Sequence, residues 1–174
     1  LAGNYLGTVT LEGRLIGPLV VTDGAGTPTD PAVLPTFRVY GSLPGLMPNG
    51  TGNAQRLDTG AVSGASNASP IVISSTAHGL NTGTRVSISA VAGNTAANTS
   101  STITKVDADH FSLDGTTGNG AYTSGGAWHV SGLYTVEVLA SAGDGYESGE
   151  TYWVLVSWTI SGVAYAGLFP FTVI

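Results

Sequence analysis

Residues Thr151 to Val173 read TYWVLVSWTISGVAYAGLFPFTV. Two runs rich in β-branched and aromatic residues, Trp153 to Ile160 and Val163 to Phe169, flank the dipeptide Ser161-Gly162. A two-residue connection whose glycine can take positive φ is the signature of a primed hairpin turn, so the stretch predicts a long β-hairpin. Pro170 has no N–H to give to a ladder and is expected at a bulge or an edge. Alternation sets Tyr152, Val154, Val156 and Trp158 on one face of the first strand and Trp153, Leu155 and Ser157 on the other. Bulky groups thus stand on both faces, more than one core face requires. One of Trp153 and Trp158 is expected in the core, the other at the surface or an interface. An outward tryptophan would stack on a sugar or on a partner subunit. The partner is the stronger expectation, because apolar patches on a charge-poor surface usually mark protein contacts.

Upstream the same pattern repeats. Short alternating runs appear at Gly7 to Leu15, Leu19 to Thr22, Thr36 to Tyr40, Ala54 to Asp58 and Leu133 to Leu139. Gly, Asn, Asp and Pro clusters separate them, the pattern of an all-β chain. No window carries the i, i+3, i+4, i+7 apolar spacing of an amphipathic helix. Thr22 to Pro35, with three prolines, and Gly41 to Gly52 read as long surface loops. Val62-Ser63-Gly64 and Val130-Ser131-Gly132 bracket a segment whose removal leaves the continuous RLDTGAVSGLYTVEV. Insertions are tolerated at exposed loop tips. We therefore expect residues 1–64 with 133–174 to form one discontinuous domain, and 65–132 to be an inserted small β module. The strands outside the insert fit an immunoglobulin-like β-sandwich of about 105 residues. The insert holds short strands at Ile71 to Ile73, Arg85 to Val91, Thr102 to Val106 and Phe111 to Leu113. A compact barrel or twisted hairpin module suits its size.

Composition narrows the function classes. Five Lys and Arg stand against eleven Asp and Glu, a net charge of −6. The five bases, Arg14, Arg38, Arg56, Arg85 and Lys105, are too dispersed for a nucleic-acid stripe. The absence of cysteine excludes disulfides and thiolate metal sites. No apolar run nears the ~20 residues of a membrane span. The opening LAGNYLGTVTLEG has neither the basic nor the apolar region of a signal peptide.

Candidate chemistry is sparse. His78, His110 and His129 all lie in the insert without a close metal-binding spacing, so turn or surface roles are expected. Asp107, Asp109 and Asp114 suggest calcium ligands, but no twelve-residue loop with a distal Glu follows, and Asp is common at hairpin turns. Asp144, Glu147 and Glu150 near Tyr146 raise the paired carboxylates of a glycosidase. They fall in the Gly-rich SAGDGYESGE, and an exposed acidic turn explains them better. No GxSxG elbow occurs. We expect no enzyme, no cofactor and no metal site. The candidate interface residues are Trp153, Trp158, Tyr152 and Trp128.

Residues Thr76 to Gly126 carry a more specific signature. It comprises His78-Gly79-Leu80, Thr82-Gly83, Arg85-Val86, Gly93-Asn94-Thr95-Ala96-Ala97-Asn98, Asp107-Ala108-Asp109 and Phe111-Ser112-Leu113-Asp114-Gly115. The segment resembles a module recurrent in virion proteins of tailed bacteriophages, named after a small β domain (FCCH-like) of ubiquitin-activating enzymes. It implies no ubiquitin chemistry, which needs a catalytic cysteine. The flanks PTFRVYG, AQRLDTGAVSG and GLYTVEVLASAGDGYESGETYWVLV look like the immunoglobulin-like modules of baseplate and fibre proteins. The two resemblances imply a non-enzymatic structural protein located in the virion. Its partners would be other virion proteins in a multi-copy symmetric assembly, without nucleic acid or membrane. Attachment to the tail, baseplate or fibre is the leading expectation and capsid decoration the alternative. A carbohydrate-binding module for a host-surface glycan is the competing class.

Overall fold

A computed structural model describes residues 7–10, 13–41 and 45–174. In chain order its strands are β1 (Gly7–Val9), β2 (Gly13–Val20), β3 (Thr36–Tyr40), β4 (Leu46–Asn53) and β5 (Gln55–Arg56). There follow β6 (Thr59–Ala61), β7 (Gly64–Ala65), β8 (Ile71–Ser74), β9 (Arg85–Ser89) and β10 (Ser100–Lys105). The last are β11 (His110–Leu113), β12 (Ala127–Val130), β13 (Leu133–Ala140), β14 (Thr151–Ile160) and β15 (Val163–Val173). Helix is confined to single 3-10 turns at Thr95–Ala97 and Ala142–Asp144 among the described residues. None of the helices is long and apolar enough to cross a membrane. The protein is all-β.

The chain divides into two compact units, Leu1–Gln55 with Tyr134–Ile174, and Arg56–Leu133. In the first, a five-stranded sheet of order β1-β15-β14-β3-β4 and a three-stranded sheet of order β2-β13-β5 build the sandwich. The 151–173 stretch forms the expected hairpin, in register from Thr151↔Thr172 to Ile160↔Val163. Ser161 and Gly162 close it with φ of 51° and 80°, the left-handed geometry of a primed turn. Alternation is obeyed: Tyr152, Val154 and Val156 are buried while Trp153, Leu155 and Ser157 face outward and are half-buried. Opposite them the smaller sheet presents Leu19, Tyr134, Val136, Val138 and Ala140 to the same core. Each such buried side chain of Val or Leu size contributes about 1.5–3 kcal/mol of transfer free energy.

The expected loop at Gly41 to Gly52 is in part a strand. β4 runs over Leu46–Asn53 as the edge partner of β3, with a register shift between Arg38 and Tyr40. LMPNGTGN has no alternation to betray it. Pro48 is tolerated because the strand lies on an edge. Gly52 is required by its neighbour, since a Cβ there would lie 2.7 Å from the Phe37 ring. Thr22 to Pro35 does form a loop, crossed only by the isolated bridge Thr22↔Pro28 among the described residues. The expected run Gly7 to Leu15 is divided into β1 and β2, with residues 11–12 outside the described residues.

The second unit is one seven-stranded sheet of order β6-β12-β9-β10-β11-β8-β7. Its two outermost strands are consecutive in the chain, so the sheet curls until its edges meet at Val62-Ser63. Val62 N–H bonds Gly126 O at 3.0 Å on one side, and Ser63 N–H bonds Ser74 O at 2.8 Å on the other. Ile71, Ile73, Val86, Ile103, Phe111 and Leu113 fill the interior. The four expected strands are present as β8 to β11; β6, β7 and β12 are additional. The first copy of the Val-Ser-Gly repeat therefore lies inside this unit, while the second ends at Gly132, beside its other border. Val62 is buried in its core, and Ser131 is buried with its N–H on Arg85 O. The division lies at Gln55/Arg56 and Leu133/Tyr134.

Candidate functional site

The outward face of the first unit's large sheet carries the arrangement best suited to contact. Strand register aligns Leu46, Tyr40, Trp153 and Pro170 in one row across β4, β3, β14 and β15. The next row runs through Thr51, Arg38, Leu155 and Leu168. Leu46 is 49% exposed and Leu168 48%. Arg38 is the one charged side chain in these two rows. The face is thus an apolar strip with a single cation, built because β14 alternates two bulky sets of side chains.

Of the four interface candidates, Trp153 lies in this strip. Tyr152 and Trp128 are corrected, and Trp158 is partly buried. Tyr152 is core: it is 4% exposed, its ring stacks on Phe171 at 5.6 Å, and its hydroxyl accepts the Glu147 N–H at 2.8 Å. Trp158 stands on the inner face, packs against the core and stacks on Tyr165 at 6.1 Å. Its Nε1 donates to Thr22 O at 3.2 Å. Trp128 is 4% exposed in the second unit, donating from Nε1 to Ser75 Oγ at 2.7 Å and lying edge-on to Phe111. Tyr40, Leu46, Leu168 and Pro170 were missed. The phase of the hairpin places Leu168 and Pro170 beside Trp153, but the loop reading of Gly41 to Gly52 hid Leu46.

In the second unit a cleft of about 390 Å³ is lined by Asp58, Thr59, Ser75, Ala77, His78 and Trp128, among others. Its His78, Ser75 and Trp128 are engaged within the unit. His78 Nδ1 accepts the Leu80 N–H at 3.0 Å, which assigns the ring proton to Nε2. Nε2 then donates to the carbonyls of Asp107 at 3.1 Å and His110 at 3.3 Å. The imidazole thus clamps the 107–110 turn, the expected turn role.

The aspartates of that turn are equally occupied. Asp107 Oδ1 accepts the Asp109 N–H at 2.8 Å and pairs with His110 Nδ1 at 2.9 Å. The Asp109 N–H and then His110 hold the Asp107 carboxyl below its ordinary value. Asp109 Oδ1 accepts the Ala77 N–H, and Asp114 Oδ1 the Thr104 hydroxyl. No group of three metal-ligating side chains gathers among the described residues. Glu147 and Glu150 are exposed, whereas Tyr146 between them and Asp144 is buried in the core.

Compared with known proteins, the chain matches no family model and no curated protein.

Proposed function

We propose that the chain is a non-enzymatic structural component of a tailed-phage particle, an adaptor at the tail, baseplate or fibre attachment that is present in many copies. The observation that carries a docking role is the outward row Leu46–Tyr40–Trp153–Pro170, flanked by Leu155 and Leu168. A half-buried tryptophan between a tyrosine and a proline is the kind of aromatic anchor that dominates protein contacts. A large aromatic buries on the order of 150–250 Å² when covered. The phage setting is supported by the resemblance of Thr76 to Gly126 to the virion module and of the flanks to baseplate and fibre modules. Capsid decoration is the second placement within the same reading. For the carbohydrate-binding alternative Trp128 is covered and offers no stacking platform, whereas the outward Trp153 serves both readings.

Two measurements test this. Gold-labelled antibody against the chain is expected to decorate tails or fibre bases of particles from the source lysate; particles that stay unlabelled everywhere refute the virion placement. Trp153→Ser is expected to leave a folded protein that no longer enters particles. Trp158→Ser is expected to lower stability, by less than the ~3–5 kcal/mol of a fully buried tryptophan because Trp158 is half-buried. Equal assembly of Trp153→Ser and wild type refutes the docking face.

A further inference from the structure

The seam of the second unit is closed over only part of its length. β6 pairs with β12 on one side and has no strand on the other. Asp58 O accepts the Val130 N–H and Val62 N–H donates to Gly126 O, so these two residues turn their backbone groups towards β12. Antiparallel pairing alternates such directions residue by residue. Thr59, Ala61 and Ser63 therefore turn theirs towards the seam. Ser63 is met there by Ser74 O. Beyond that bond the two walls part. β6 stays with β12, whereas the stretch after Ser74 turns aside to the 107–110 turn, with Ser75 N–H on Asp109 O at 2.8 Å and His78 N–H on Ala108 O at 3.2 Å. The gap between the walls is the cleft of about 390 Å³. Thr59 and Ala61 aim their N–H and C=O groups into it, and no described residue bonds them there. Every residue of the second unit is described, so no stretch of the unit itself covers this edge.

Two side chains face the same opening. The Asp58 carboxylate is exposed and meets no donor among the described residues. Ser75 is 3% exposed and receives the Trp128 indole N–H on its Oγ, and its own O–H finds no acceptor among the described residues. A buried donor in that state calls for an acceptor. None of the lining residues is Lys or Arg, and behind Ala77 the carboxylate of Asp109 adds a second negative charge. An occupant must therefore bring backbone-like N–H and C=O groups in extended order, a carbonyl for Ser75 and a cation for Asp58. A strand of polypeptide carrying Lys or Arg brings all of them. The chain's own bases are committed elsewhere. Arg38, Arg85 and Lys105 lie in strands paired on both sides, Arg14 is paired with Glu137, and Arg56 lies in β5, only two residues from Asp58. The occupant is thus a different polypeptide.

We propose that the seam of the second unit receives a short extended segment of another protein, which adds as a strand to β6 and sets a Lys or Arg against Asp58. This is recognition by strand addition, with backbone bonds for affinity and one side chain for selectivity. The site is separate from the Trp153 face and does not depend on the virion placement.

The full-length chain, labelled with nitrogen-15, is titrated with a millimolar pool of capped pentapeptides that have Lys at the centre and Val or Thr elsewhere. A second pool has Glu at the centre. Amide shifts at Thr59, Ala61 and Ser75 to Gly79 are expected to saturate with the Lys pool. The Glu pool should bind about fivefold more weakly, the scale of one exposed ion pair. Asp58→Asn removes the charge with a residue that tolerates the left-handed φ of 50° at this position, and should erase the preference for Lys. Ala61→Pro removes an N–H that takes no part in the β6–β12 ladder, a change that edge strands accept, and should weaken both pools by about fivefold or more. In the wild-type chain hydrogen exchange of the Thr59 and Ala61 amides should slow at saturation, which reads strand addition without any substitution. Shifts confined to other residues, or none, overturn the proposal, and so does a Lys preference that survives Asp58→Asn. Unslowed exchange at both amides, or undiminished binding by Ala61→Pro, leaves ionic capture without strand addition and overturns it too. The titration uses no particles, so it can fail while the virion placement and the Trp153 face stand, and the reverse.

Discussion

Replacing Tyr146 with Phe removes one oxygen atom from the core of the first unit. The ring lies 4.8 Å from Tyr152 and 6.4 Å from Phe171, centroid to centroid, inside an aromatic cluster. Its hydroxyl is buried and meets no hydrogen-bond partner among the described residues. A buried hydroxyl without a partner costs about 1–3 kcal/mol of desolvation. Against this, the dispersion attraction between the oxygen and each atom it touches is worth only about 0.1–0.2 kcal/mol. Tyr146→Phe should therefore stabilise the first unit by about 1–2 kcal/mol, with each kcal/mol worth about 4–8 °C of melting temperature in a domain of this size. A second signature comes from titration. Burial, with the nearby Asp144 and Tyr152, pushes the Tyr146 pKa up to about 12. Above about pH 10 the unfolded chain releases this proton while the folded chain keeps it, so the unfolded state binds fewer protons. Stability must then fall with rising pH between about 10 and 12, and Phe, which cannot titrate, should flatten that limb. Urea melts near neutral pH and across the alkaline range measure both effects. A destabilised Phe variant, or one whose alkaline limb matches wild type, shows that the hydroxyl is satisfied and the reasoning wrong.

Two further perturbations probe the second unit. Gly60→Ala places a Cβ 2.6 Å from the Trp128 ring, which is held in place by its bond to Ser75. Overpacking of about 1–3 kcal/mol should appear as a lower urea midpoint, and an unchanged midpoint would show that the indole gives way. Replacing residues 58–132 with an Asn-Gly turn should leave the first unit folded, because its buried core lies wholly outside that segment. Circular dichroism and a cooperative melt report on it; an unfolded shortened chain would show that the first unit needs the second.

The long hairpin was legible because ten residues of clean alternation on either side of Ser161-Gly162 leave only one phase. That phase separated Tyr152 from Trp153, but with bulky groups on both faces it left open which set the core would take, and Tyr152 reads there as an interface residue. The edge strand β4 was not legible: Pro48, Gly50 and Gly52 read as punctuation, and what makes them a strand is Phe37 lying across Gly52. Trp128 was misplaced for a related reason. Its strand has four residues, too few to establish a phase, and the hydroxyl of Ser75 that draws the indole inward is remote in sequence. The first border of the second unit was hidden by a coincidence of small residues. Val62 and Ser63 resemble a splice scar, but their amide groups close a sheet, and pairing across that distance leaves no local trace.

The convergence of both sheet edges on Val62-Ser63 has a consequence for what such a unit demands of the chain that carries it. Leu57 N–H bonds Leu133 O at 3.1 Å, so the two ends of the segment lie side by side. A receiving protein needs to offer only a narrow gap in one loop. Because the curled sheet leaves no long bare edge, the newcomer has little to pair with in its new surroundings, and its own strands need no register from the host. Self-sufficiency of this kind is a property of topology rather than of any surface residue.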